Sequence, residues 1–132
     1  MLEHLLTELT EKLQLPLNLE KNTLGYYTIT LNQETELLFK ELQPGFTCKS
    51  LIAEIPKENP LEDLYILLMR ANFLGQGTKN GAIAIDENVK NIIFTMSVPE
   101  DLQYRLFKDK VEEFVNYLNY WKKCITDEKY KK

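Results

Sequence analysis

A single histidine, His4, and two cysteines, Cys48 and Cys124, are all the chain offers of the residues most used for metal binding and nucleophilic catalysis. His4 and Glu8 lie one helical turn apart, but two ligands on a first turn fall short of the four that hold a structural zinc. A Cys–His pair needs a base beside the thiol, and nothing along the chain brings His4 to Cys48, which falls inside a predicted strand. Two cysteines cannot build a disulfide framework and suggest a reducing compartment. No apolar run approaches the roughly 18–20 residues of a membrane span. The opening Met1–Leu6 has no basic region, so no signal peptide is expected and the expected location is the bacterial cytoplasm. Cations are not in excess: 16 Lys and Arg face 20 Asp and Glu, for a net charge of −4. That balance argues against direct nucleic-acid binding, which relies on clustered cations. The one basic cluster, Lys129 to Lys132, reads as a solvated end, and about 124–132 as a flexible tail.

Two further motifs are missing. The glycine-punctuated stretch Gly75 to Gly81 does not match the phosphate-binding loop, because Lys79 is followed by Asn80 and Gly81. It also leads from a helix into a strand, the reverse of the order that points a helix N-terminus at phosphate. Glu54, Asp63, Asp86 and Asp101 stand singly, so acid–base catalysis has no motif behind it. No enzyme, cofactor or metal is expected. No repeat, linker or low-complexity segment interrupts the chain.

What is present is a soluble globular composition, 44% hydrophobic and 27% charged, in a length that fits one domain spanning 1–132. Leu2, Leu5, Leu6, Leu9 and Leu13 recur with helical spacing, and Pro16 is expected to end that helix. Strands are predicted at about 24–31, 34–41 and 46–55, rich in aromatic and β-branched residues and separated by short gaps that favour antiparallel hairpins. Asn59-Pro60-Leu61-Glu62 carries the signals of a helix start, and that helix is expected to run to about Phe73 or Leu74. A hairpin follows at 82–86 and 91–96. Ser97 to Glu100 has capping-box spacing, which predicts the start of a last helix whose stripe runs from Leu102 to Trp121. The expected fold is α+β, a single antiparallel sheet with three helices in the order α-β-β-β-α-β-β-α.

The middle helix has almost no polar side, and a helix apolar all round must be covered all round. One sheet covers one face. The remainder falls either to a terminal helix or long loop, or to a second subunit, since large exposed apolar patches are rare on monomers. A symmetric pair is the default geometry for the second case.

Leu61 to Gly75, followed by Gly77-Thr78, Gly81-Ala82 and Ile83 to Asp86, resembles the signature of class I type III secretion chaperones. In that family a leucine-rich helix ends in an Asn-x-x-Gly-like turn, before a Thr/Gly loop and a short strand closing on Asp. The Leu15-Pro16-Leu17 exit of the first helix, and Phe114, Val115, Tyr117 and Trp121 of the last, are similar to the family as well. The resemblance implies a dimer, of identical or related chaperone subunits, that binds the non-globular N-terminal segment of a secreted effector and keeps it export-competent. Such binding needs apolar grooves and available strand edges. The expected effector-binding residues are Leu5, Leu9, Leu13, Tyr27, Ile29, Leu31, Leu37 and Phe39. The expected dimer seam is Leu64, Tyr65, Leu67 and Leu68 with Ile85, Ile92 and Phe94. The alternative is a regulatory adaptor of the same fold that binds a transcription or signalling protein.

Overall fold

The structure, a computed structural model, describes residues 2–15, 17–18, 21–22, 24–55, 66, 69–70, 72, 81–86 and 90–127. Helix α1 spans Leu2–Leu13 and α2 Tyr104–Asp127. Between them run β1 (Leu17–Asn18), β2 (Tyr27–Asn32), β3 (Thr35–Glu41), β4 (Phe46–Glu54), β5 (Gly81–Ile85) and β6 (Asn91–Val98). They form one six-stranded sheet in the order β1-β2-β3-β4-β6-β5, antiparallel at every neighbour. The α+β class and the single antiparallel sheet agree with expectation. The expected strands are present with shifted ends, and β1 is an additional one. The middle helix expected over 59–74 lies outside the described residues, apart from Ile66, Met69, Arg70 and Asn72, which are helical.

Both helices cover one face of the sheet. Along β2, β3 and β4, Ile29, Leu37, Phe39, Phe46 and Cys48 alternate inward and are buried. Phe107, Val111, Phe114, Leu118 and Trp121 of α2 recur every three or four residues and meet them. The Phe107 ring packs edge-on against Phe46 at 5.2 Å between centroids and lies 6.0 Å from Phe39. Phe94 of β6 stacks on Phe114 at 4.9 Å. Each aromatic removed from water here contributes about 1.5–3 kcal/mol. Leu2, Leu5, Leu6 and Leu9 of α1 complete the layer.

Two expected boundaries move for local reasons. α1 ends at Leu13, short of Pro16, over a backbone cap. Gln14 takes the left-handed conformation (φ 56°), its N–H reaches the Glu11 carbonyl at 3.4 Å, and the Leu15 N–H reaches the Thr10 carbonyl at 3.0 Å. These are the paired bonds of a Schellman cap. At the other end, Ser97 and Val98 do not open the last helix but extend β6, pairing with Thr47 and Phe46. The carboxylate of Asp101 then accepts the Gly45 N–H at 3.1 Å, and α2 starts only at Tyr104.

The sheet's two outer strands are β1 and β5. At β5, the Asn72 side-chain amide donates to the Ile83 carbonyl and accepts from the Ile83 N–H, each at 2.8 Å. Asp86 holds the β5–β6 turn, accepting from the backbone N–H groups of Lys90 and Asn91 at 3.0 and 3.3 Å and from Asn91 Nδ2 at 2.7 Å.

Candidate effector-binding groove

The β2–β3 hairpin turns over an Asx bond, with Asn32 Oδ1 accepting the Glu34 N–H at 2.8 Å. A bulge between Thr30 and Asn32 takes Leu31 out of the ladder. Leu31 therefore lies partly buried at the rim of the layer, not sealed in it. Beside it α1 ends, leaving Leu13 49% exposed, and the cap described above delivers Leu15 to the same place. The result is an apolar groove of about 260 Å³ between α1, the β2–β3 hairpin and α2. Leu9, Leu13 and Leu15 form one wall, Ile29, Leu31 and Leu37 the floor, and Val111 and Val115 the other wall. Lys108, Glu112 and Asn116 line its polar rim, with Lys108 Nζ and Glu112 paired at 3.4 Å. An exposed i,i+4 pair of this kind contributes only a few tenths of a kcal/mol. The groove can therefore select apolar side chains inside and accommodate polar backbone at its lip, but it presents no nucleophile or acid–base pair.

Among the residues expected to bind an effector, Leu9, Leu13, Ile29, Leu31 and Leu37 come together here. Leu5 lines a separate open depression of about 400 Å³ with His4, Glu8 and residues 101–104. Tyr27 and Phe39 belong to the buried layer; Tyr27 directs its hydroxyl to the Glu3 carboxylate at 3.4 Å. Leu15, Val111 and Val115 were missing from the expected set. The two valines share the stripe of the last helix, but periodicity does not say which part of a stripe another helix leaves open. Of the expected dimer seam, Ile92 and Phe94 are buried in the layer that α2 covers, and Ile85 is 36% exposed. Leu64, Tyr65, Leu67 and Leu68 lie outside the described residues.

The remaining chemistry of the described residues is sparse. Burial pushes the Cys48 thiol well above its ordinary pKa, which keeps it protonated and unreactive. No group of three or more His, Cys, Asp or Glu among the described residues is placed to hold a metal ion. No helix among them is long and apolar enough to cross a membrane.

Known structures share this architecture. A chain of the ExsC–ExsE complex superposes with a TM-score of 0.74 at 14% identity, covering 92% of this chain and 91% of its own. A chain of the HopA1–SchA chaperone–effector complex gives 0.65 at 14% identity, with 92% of each chain covered. YbjN, a candidate transcription regulator from E. coli, gives 0.66 at 8% identity, covering 92% of this chain and 88% of that one. At such identities these likenesses establish the fold alone. No curated protein sequence matches the chain. The model of the Tir chaperone protein (CesT) family matches residues 4–122, nearly the whole length. The chain thus belongs to the Tir chaperone protein (CesT) family: it is a class I type III secretion chaperone that binds effector proteins and is not an enzyme.

Proposed function

We propose that the chain works in the bacterial cytoplasm as a dimer, and that the groove between α1, β2–β3 and α2 seats the extended N-terminal segment of its effector. The observation that carries this reading is the convergence of Leu9, Leu13, Ile29, Leu31 and Leu37 on one open apolar groove, at the end of the sheet formed by the outer strand β1 and its neighbour β2. An extended segment placed there offers every second side chain to the groove, while its backbone lies along the sheet edge. Holding the segment extended prevents it from folding before export. The ordering of a flexible partner lowers affinity per unit area, so the contact must run beyond this one groove.

The dimer is supported by apolar side chains left in water. Ile66 is 43% exposed and Met69 72%, both on the helical positions of the expected middle helix, and Ile85 adds a third such group. A second copy seated against that helix, with Leu64, Tyr65, Leu67 and Leu68 at the seam, would cover them. A related chaperone could replace the identical copy.

The groove is tested by co-expressing the chain with each effector of its host, intact and lacking the N-terminal segment. One effector should stay soluble only with the chain, and only when its N-terminal segment is present. Leu13→Glu together with Leu31→Glu should weaken that binding at least tenfold. Both positions are partly solvent-facing, so the fold should survive, as a near-native thermal midpoint would show. Undiminished binding by this double variant would remove the groove from the effector site.

A further inference from the structure

Helices α1 and α2 cover one face of the sheet, and the opposite face of β2, β3 and β4 carries a second set of alternating side chains. Thr28, Leu38, Lys40, Thr47 and Lys49 belong to it; they alternate with the buried residues of the same strands, and none of them is itself buried. Lys40 stands opposite Thr47 and Leu38 opposite Lys49, so the two lysines are diagonal neighbours on adjacent strands. Tyr26, one residue before the buried Tyr27, shares their face. Both ammonium groups turn to its ring: Lys49 Nζ lies 4.5 Å and Lys40 Nζ 5.5 Å from the ring centroid. An aromatic face attracts an exposed cation by about 0.5–1 kcal/mol. That attraction gathers two like charges at one ring, in a chain whose net charge is −4. Carboxylates are in excess, yet neither lysine forms an ion pair with one among the described residues. Glu36 shares the face, but Lys49 reaches the other way, to Tyr26. Beside this group a tight turn forms, in which Asn22 Oδ1 accepts the N–H groups of Leu24 and Tyr26 at 2.9 and 3.0 Å. The turn holds Leu24 out in water, 66% exposed.

We propose that Leu24, Tyr26, Lys40 and Lys49 form a second docking surface, for an acidic segment of a partner protein in which a carboxylate stands next to an apolar residue. A carboxylate set between the two ammonium groups relieves their mutual repulsion and accepts a charge-assisted hydrogen bond from each. The apolar neighbour then covers Leu24. Two cations on an acidic chain are too few for a nucleic-acid backbone or an anionic bilayer, which are bound by larger clusters of Lys and Arg. The surface lies on the face of the sheet opposite the groove, so a chain holding an effector segment keeps it available for a second protein. Simultaneous occupancy rests on the groove as the effector's seat; the docking surface does not.

The test titrates the full chain at low salt with the acetylated, amidated peptide Glu-Leu-Asp-Leu-Glu and follows backbone amides by NMR. Its neutral counterpart is Gln-Leu-Asn-Leu-Gln. The acidic peptide should shift the amides of Leu24, Tyr26, Lys40 and Lys49, and the neutral one should bind at least about tenfold more weakly. Lys40→Gln together with Lys49→Gln should weaken the acidic peptide by at least about tenfold. Both side chains lie at the surface, so the fold should survive, as an otherwise unchanged spectrum would show. Arg105→Gln with Lys123→Gln removes the same charge from exposed positions of α2, and should change the affinity by less than about twofold. Equal affinity for the neutral peptide, undiminished binding by the Lys40–Lys49 variant, or an equal loss in the Arg105–Lys123 variant would each overturn the proposal. So would tighter binding of an oligothymidylate, or of phosphatidylserine vesicles, than of the peptide, since that would assign the patch to a nucleic acid or a membrane. Leu13→Glu with Leu31→Glu should leave the acidic peptide bound as before, so failure of the groove and failure of this surface are read separately. Loss of binding in that variant would place the peptide in the groove and overturn the proposal as well.

Discussion

Individual residues here do two kinds of work, packing and turning, and the second is harder to read from sequence. Gly45 shows it. Its φ is +95°, and a Cβ built on it would run into the Val98 carbonyl oxygen and the Glu100 backbone nitrogen. Its N–H is held by Asp101, and its carbonyl accepts the Leu42 N–H at 2.8 Å. Gly45→Ala therefore adds a left-handed penalty to a backbone collision, and should cost at least about 2 kcal/mol. Thermal unfolding of the purified variant checks this; an unchanged midpoint would mean that the turn can rearrange freely. The pair Pro44-Gly45 was legible as a turn before β4. Its clamp onto Asp101 was not, because a contact across so many intervening residues leaves no local signal. The same holds for Gln14, whose left-handed conformation is unusual for a residue with a side chain and which no propensity rule singles out.

Among the elements, those with strong periodicity were legible: α1, the β2–β3–β4 meander and the β5–β6 hairpin all stand where the alternation of apolar residues places them. Boundaries drifted where tertiary bonding overrode a local motif, as at Ser97 to Glu100, whose capping-box spacing yielded to pairing with β4. Near the far end of α2, a lysine reaches across to the sheet. Lys122 Nζ donates to the Glu34 carbonyl at 3.1 Å and to Thr35 Oγ1 at 2.8 Å, joining the helix to the β2–β3 turn. Burial lowers the pKa of this lysine, and the nearby Glu34 carboxylate partly opposes the shift. A lowered folded-state value means that the unfolded chain binds more protons between that value and the ordinary 10.5. The group's contribution to stability thus rises as pH climbs through this window. Lys122→Met should cost about 1 kcal/mol at neutral pH through its lost hydrogen bonds. Paired urea titrations at pH 7 and near pH 10 should show the gap between the two proteins widening; a narrowing gap would contradict the assigned burial.

For the whole molecule, the sequence showed which residues share a face but not which faces stay open. Leu9, Ile29 and Leu37 look like ordinary core by pattern and are buried, yet they also line a groove, because α1 and α2 do not close completely over the β2–β3 hairpin. Ile92 and Phe94 look equally suited to a subunit seam, and α2 is what covers them. The proposed pairing of two copies is a property of this scale. Light scattering after size exclusion should give twice 15.5 kDa. Met69→Glu, at a site 72% exposed, should shift that mass toward the single chain without loss of helical signal. A single-chain mass for the unmodified protein would leave a related chaperone as the required mate.

The centre of the sheet joins β4 to β6, with Phe46 opposite Val98 and Glu54 opposite Asn91, so its middle ladder closes over a long intervening stretch of chain. During synthesis α1 and the β2–β3–β4 meander leave the ribosome before β6 and α2, with the part of the inner face that α2 covers still bare. Val111 and Val115, one wall of the groove, emerge only after all six strands. A nascent copy therefore has no complete groove to offer an effector until α2 has been translated through Val115.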